Sequence, residues 1–142
     1  MLKKTIKFTD YDGNPREEDF YFNLTKAELS IMEMSHVGGF RKKMERIIKA
    51  QDGPALIEAF QDIIHTAYGV KSDDGRRFIK SPELFEEFKQ TEAYSELIME
   101  LLGSEKGAAE FIAQVMPQDV VAEAAAEKAA AEKAANITPI GG

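Results

Sequence analysis

The first ordered pattern in the chain has a period of two. In TIKFTDYDGNPREEDFYFNL, Ile6 and Phe8 alternate with Thr5, Lys7 and Thr9, and Phe20 and Phe22 share one face of a second run with Tyr21 on the other. Such alternation predicts two half-buried strands. DGNP between them is turn chemistry, because glycine tolerates a positive φ and proline stops a ladder. The N-terminus therefore reads as a β-hairpin.

After Leu24 the period becomes helical. LTKAELS carries a capping box, with Thr25 as N-cap and Glu28 three residues on, and Leu24 and Leu29 are placed as a hydrophobic staple. This helix is expected to stop near HVGGF, because a glycine pair disfavours a helix interior. FRKKMERIIKAQ resumes helical spacing with Phe40, Met44, Ile47 and Ile48 on one side, and Asp52–Pro54 breaks it. PALIEAFQDIIHTAYG predicts a further helix with an apolar face of Leu56, Ile57, Phe60, Ile63, Ile64 and Ala67, and with Gly69 as C-cap. VKSDDGRRFIK reads as a short hairpin or ordered loop around Asp74-Gly75. Ser81 and Pro82 open the next helix, Thr91 caps EAYSELIMELL, Ser104 restarts the pattern in EKGAAEFIAQVM, and Pro117 stops it.

From Asp119 the composition shifts to alanine, glutamate and lysine in VVAEAAAEKAAAEKAA. Alanine favours helix, but little here can be buried, so this segment is expected to project as a semi-rigid spacer. The pattern predicts a mainly α, α+β protein. Residues 1–117 form one domain, an N-terminal β-hairpin followed by about five short packed helices, and residues 118–142 form an Ala-rich helical or flexible tail. Strands and helices do not alternate often enough for a parallel α/β sheet.

Composition narrows the function classes. The chain has 142 residues, enough for one domain with a core, and a formal charge of −7. A net negative surface repels phosphate backbones, which argues against nucleic acid and anionic membranes as partners. The absence of cysteine removes disulfides, thiolate nucleophiles and sulfur-bound zinc. No apolar run approaches the roughly 20 residues that a bilayer needs, and MLKKTIKFTDYDG lacks the apolar core of a signal peptide. A soluble, cytoplasmic protein is expected.

Candidate chemistry is sparse. Asp10 and Asp12 in FTDYDGN have the spacing of the nucleophile loop of haloacid-dehalogenase-type phosphatases, where paired carboxylates flank Mg²⁺. That loop needs a continuously apolar buried strand before it and a helix after it, and here an alternating strand precedes and another strand follows. An EF-hand reading of Asp10, Asp12 and Asn14 fails at Pro15 and Tyr21. His36 and His65 have no metal-binding spacing around them, so no metal or cofactor is expected. Gly38-Gly39 lacks a phosphate-loop pattern, and Arg41, Lys42, Lys43 and Arg46 form a basic helix face that suits an intramolecular or protein-docking surface. Asp74, Gly75, Arg76 and Arg77 read as a structural turn with local ion pairs. No catalytic set emerges, and no enzyme is expected.

Apolar side chains exceed what one narrow stripe needs in the last third of the domain. Phe85, Phe88, Tyr94, Leu97 and Leu101, with Ile98 and Leu102, either fill the core or line a groove for a partner helix.

YGVKSDDGRRFIKSPELFEEFKQTEAYSELIMELL, from Tyr68 to Leu102, resembles the tail assembly chaperones of long-tailed bacteriophages, through its tyrosine–glycine, its acidic Gly-Arg-Arg-Phe turn and EEFKQTEAYSELIMELL. LTKAELSIMEM, the following Gly-Gly and the N-terminal hairpin are similar to the same family, so the resemblance spans about residues 1–117. It implies a holdase for the tape measure protein, a long helical chain whose exposed apolar stripes aggregate before the tail tube covers them. It further implies a second, frameshift-extended form that recruits tail tube protein, possible homo-oligomers, and work in the host cytoplasm with absence from the mature virion. The competing expectation is a structural tail or head–tail component retained in the particle. The resemblance supplies no catalytic residue; the helix after the DDGRRF turn is its candidate for partner contact.

Overall fold

In a computed structural model describing residues 1–116, without the side chains of Ile48, Glu105 and Ala109, β1 (Leu2–Thr9) and β2 (Pro15–Phe22) pair antiparallel along their whole length. Asp10 builds the turn between them. Its Oδ1 accepts from the backbone N–H groups of Asp12 and Asn14, both at 2.9 Å, and its Oδ2 accepts from Arg16 Nε at 2.6 Å. The Arg16 hydrogen bond first, then the Asn14 N–H, holds the Asp10 carboxyl below its usual range. With both oxygens so engaged, Asp10 serves the turn rather than a phosphoryl group.

The chain leaves the sheet after Phe22 for α1 (Lys26–Met34), α2 (Phe40–Ala50) and α3 (Gly53–Ala67), then returns as β3 (Tyr68–Lys71). β3 adds antiparallel to β2 through Tyr21 opposite Gly69 and Phe22 opposite Tyr68, and β4 (Phe78–Ile79) adds to β3. The hairpin expected from the sequence is thus half of a four-stranded antiparallel meander in the order β1-β2-β3-β4. α4 (Pro82–Lys89), α5 (Glu92–Gly103) and α6 (Glu105–Val115) follow. α5 and α6 pack on β1 and α4 on β3. The alanine-rich segment, expected to project as a helix, lies outside the described residues.

Gly69 differs from its expected role. α3 ends at Ala67 and is capped by Tyr68 in an extended conformation, so Gly69 is a strand residue rather than a helix cap. The reason for glycine is space, since a Cβ there would lie 2.6 Å from the Phe78 ring and 2.9 Å from the Ile79 carbonyl oxygen.

The core is aromatic. Phe22, fully buried, meets the Phe111 ring edge-on at 5.2 Å and the Phe88 ring at 6.0 Å. Tyr68 stacks on Phe88 at 4.5 Å and 17°, and Phe20 lies 4.9 Å from the same ring. Burying each such side chain contributes about 1.5–3 kcal/mol. Phe20, Phe22, Tyr68 and Phe88 come from β2, β3 and α4, so these rings fasten the sheet to the helices that follow it.

One polar cluster joins the segments where the helical excursion begins and ends. Lys80 Nζ donates to the carbonyl oxygens of Asn23 and Thr66, both at 2.7 Å, and to Glu28 Oε2 at 2.6 Å. Glu28 also closes the capping box, accepting from the Thr25 N–H at 3.0 Å while Thr25 Oγ1 accepts from the Glu28 N–H at 3.1 Å. Burial pulls the Glu28 carboxyl upward, but the hydrogen bonds from Lys80 and Thr25 outweigh it and hold the group below the usual 4.5.

Three outcomes follow for stability. Gly69→Ala should lower the urea midpoint by an amount equivalent to about 1–3 kcal/mol, because the Phe78 ring must move. Lys80→Met should destabilise by about 1–3 kcal/mol by leaving three acceptors without their donor. Because the folded-state value for Glu28 is depressed, its contribution is present above pH 4.5 and is lost as pH falls through that lower value. Urea titrations at pH 6 and pH 3 should therefore show a smaller acid loss for Glu28→Gln than for the wild type.

Candidate partner-binding groove

α1 contributes no buried side chain, so its position depends on its ends. The Thr25–Glu28 box fixes its start. At its far end, Glu33 Oε2 accepts from the Arg41 backbone N–H at 3.0 Å, which satisfies a donor in the first turn of α2. The Glu33 carboxylate lies against Gly39, whose φ is +93° and where a Cβ would collide with it. Gly38-Gly39 is thus an elbow between α1 and α2. A second tight link joins α2 to α3: Gln51 takes φ +52°, and Asp52 Oδ1 accepts from the Ala55 N–H at 3.1 Å as N-cap. Ser104 joins α5 to α6, with its Oγ accepting from the Gly107 N–H at 3.0 Å.

These links hold a helical arm, α1 to α3, opposite the α5–α6 pair. Between them runs an open groove of about 1280 Å³. The arm contributes Leu29, Phe40, Met44, Ile47, Leu56, Ile57 and Phe60 to it. The opposite side contributes Leu101, Leu102, Ile112 and Met116. Leu102 is 51% exposed and Ile57 39%, so part of this apolar surface faces water. Among the described residues, the charged ones lining the groove are Glu33 and Arg41, and Glu33 is engaged at the α2 start. Small-molecule pockets span about 300–1,000 Å³ and bury most of the ligand. A larger, open, mostly aliphatic groove suits the apolar face of a polypeptide helix.

The five residues expected to meet a partner do not form one surface. Phe88 and Leu97 are buried in the core because α4 and α5 pack on the sheet, so their side chains are not part of the exposed surface. Leu101 is buried but lines the groove. Phe85 and Tyr94 are half-buried at the edge of the aromatic core, Phe85 stacked on His65 at 4.2 Å and edge-on to Tyr94 at 6.2 Å. Asp74 Oδ1 accepts from Ser72 Oγ at 2.7 Å and from the Arg76 N–H at 3.0 Å, Gly75 takes φ +71°, and the Arg77 N–H donates to Ser72 Oγ at 3.0 Å. These contacts close the β3–β4 turn. The Ser72 hydroxyl first, then the Arg76 N–H, holds the Asp74 carboxyl below its usual range. His36 Nδ1 lies 2.9 Å from the Met32 carbonyl oxygen. Among the described residues there is no metal-ligating cluster and no helix long and apolar enough to cross a membrane.

A family model for a phage tail assembly chaperone matches residues 1–139. The chain belongs to the phage tail assembly chaperones. The match runs past the 1–117 span of the sequence resemblance and includes the alanine-rich segment. No curated protein and no solved structure matched. The chaperone's groove residues on α2 and α3 were visible in the sequence as apolar helix faces. Their spacing alone did not say whether they meet the core or an opening.

The distinction between core and groove can be measured. Phe88→Ala should destabilise the chaperone by about 3–5 kcal/mol, as expected for a truncated buried ring. Leu102→Asp should change stability by under about 0.5 kcal/mol, as expected for an exposed site. Thermal or urea unfolding of both variants reads this directly.

Proposed function

We propose that this chaperone holds the tape measure protein through the groove between the arm and the α5–α6 pair. There it covers apolar stripes until tail tube protein replaces it. The observation that carries this reading is an open apolar groove, with exposed Leu102 and Ile57, in a member of a tail assembly chaperone family. Contact surface of this kind serves binding and release rather than bond-breaking, so the reading is non-enzymatic. On this reading the protein works in the host cytoplasm, leaves before the virion matures, and reaches tube protein through a frameshift-extended form.

Co-expression with the tape measure protein of the same phage tests this. The tape measure should be insoluble alone and soluble in complex with the wild-type chain, and the two should co-purify. Leu102→Asp and Ile57→Asp should each lower the soluble tape measure several-fold while leaving the chaperone folded by circular dichroism. An insoluble tape measure in the presence of wild-type chain overturns the reading. The chain would then be sought in purified particles, where its presence would indicate a structural tail or head–tail component.

A further inference from the structure

The long wall of the groove is also the most basic part of an acidic protein. Arg41, Lys42, Lys43, Arg46 and Lys49 against Glu45 give α2 a charge of +4. Since the whole chain carries −7, the other 131 residues carry −11. Residues advance about 100° around a helix, so the groove-facing row Phe40, Met44 and Ile47 has Arg41 on one flank and Lys43 on the other. Lys42, Arg46 and Lys49 lie behind that row and are exposed. Among the described residues, the side chains of Lys42, Lys43, Arg46 and Lys49 have no ion-pair or hydrogen-bond partner.

This placement works against the helix that bears it. The first turn of α2 carries Arg41, Lys42 and Lys43 and no acid, although the positive end of a helix dipole disfavours cations there. Lys42 and Arg46, four apart, also repel one another. The Glu33 carboxylate at the α2 start offsets part of this cost, but Lys42, Lys43, Arg46 and Lys49 gain no ion pair in return among the described residues. Local choices that oppose the local fold in this way mark functional surface.

We propose that the groove takes an amphipathic helix whose row of large apolar side chains is flanked by acidic residues. The apolar row would fill the groove, and the acidic flank would run along α2 beside Lys43, with Arg46 further round the same side. That the helix belongs to the tape measure protein rests on the reading above, whereas its chemistry rests on the groove and on α2. A nucleic acid would use the same cations but would leave the apolar lining unfilled.

Three labelled helical peptides sharing one leucine stripe, with glutamate, glutamine or lysine flanks, test this against the full chain by fluorescence anisotropy. At about 50 mM salt the glutamate peptide should bind roughly fivefold or more tighter than the glutamine peptide, and the lysine peptide weakest, with the spread shrinking near 0.5 M salt. Lys43→Glu/Arg46→Glu should reverse that order. Its first substitution favours the α2 start, so lost binding would not reflect unfolding. Leu102→Asn, which removes an apolar contact without adding charge, should weaken all three peptides alike. Equal binding of the three peptides overturns the proposal. So does displacement of the glutamate peptide by a single-stranded oligonucleotide whose own binding ignores Leu102→Asn.

Co-expression separates the two readings. If wild type and Lys43→Glu/Arg46→Glu hold the tape measure equally well, the tape measure reading stands and recognition by charge falls. If wild type selects the glutamate peptide but leaves the tape measure insoluble, the groove chemistry stands and that identity falls.

Discussion

The Lys80 ammonium fixes where the helical arm leaves the sheet and where it returns. Asn23 follows β2 directly, Thr66 lies in the last turn of α3, and Glu28 sits in the first turn of α1. One cation therefore ties both ends of an excursion of more than forty residues to the residue after β4. The Asn23 N–H to Ala67 carbonyl hydrogen bond, at 2.8 Å, closes the same loop at the backbone. Leu24 donates to the Val115 carbonyl oxygen at 3.2 Å, so the end of α6 is held at this junction as well. Both sides of the groove are anchored at one place, and what separates them elsewhere is the apolar opening.

That arrangement divides the apolar surface in two. One cluster runs from Ile6 and Phe22 through Phe88 and Leu97 to Phe111 and Val115 and fastens sheet to helices. Phe40, Ile47, Ala59 and Ile63 are buried yet lie outside that cluster, on the arm. Of these, Phe40, Ile47 and Ile63 line the groove, and the helices of the arm are joined by capped elbows. Closing the arm onto α5 and α6 would remove Leu102 and Ile57 from water, a favourable change. The elbow at Gly39, held by Glu33, and the left-handed Gln51 fix how α2 follows α1 and α3 follows α2. Each device is local and short.

What the sequence made legible was local. Thr25 with Glu28, Ser81, Thr91 and Ser104 all cap helices, and the Asp74-Gly75 turn closes a hairpin, because each signal lies within a few residues of the group it satisfies. The groove was half legible: the apolar faces of α2 and α3 stood out, but periodicity counts apolar positions without saying what they face. The Lys80–Glu28 pair spans 52 residues and joins two commonplace side chains, so no pattern announced it. β3 joins β2 through only two residue pairs, too short a match to single out in advance. The aromatics near residue 88 stand out in the sequence by their number. That Phe88 and Leu97 pack inward depends on how α4 and α5 lie on the sheet, a tertiary fact.

The geometry also constrains how tightly a helix could be held if the groove binds one. Each ~100 Å² of apolar surface buried on the two sides would contribute on the order of 2.5 kcal/mol, at about 25 cal/mol/Å². Association and side-chain ordering cost roughly 4–15 kcal/mol. A single open groove would therefore hold a helix weakly and release it readily. For a very long client with repeated apolar stripes, weak sites suffice when many are filled at once, and each can be released singly as another protein covers its stripe. A deeper, closed pocket would bind more tightly and would resist that replacement. The open groove, braced at one junction and lined mainly by aliphatic side chains, lies on the side of release.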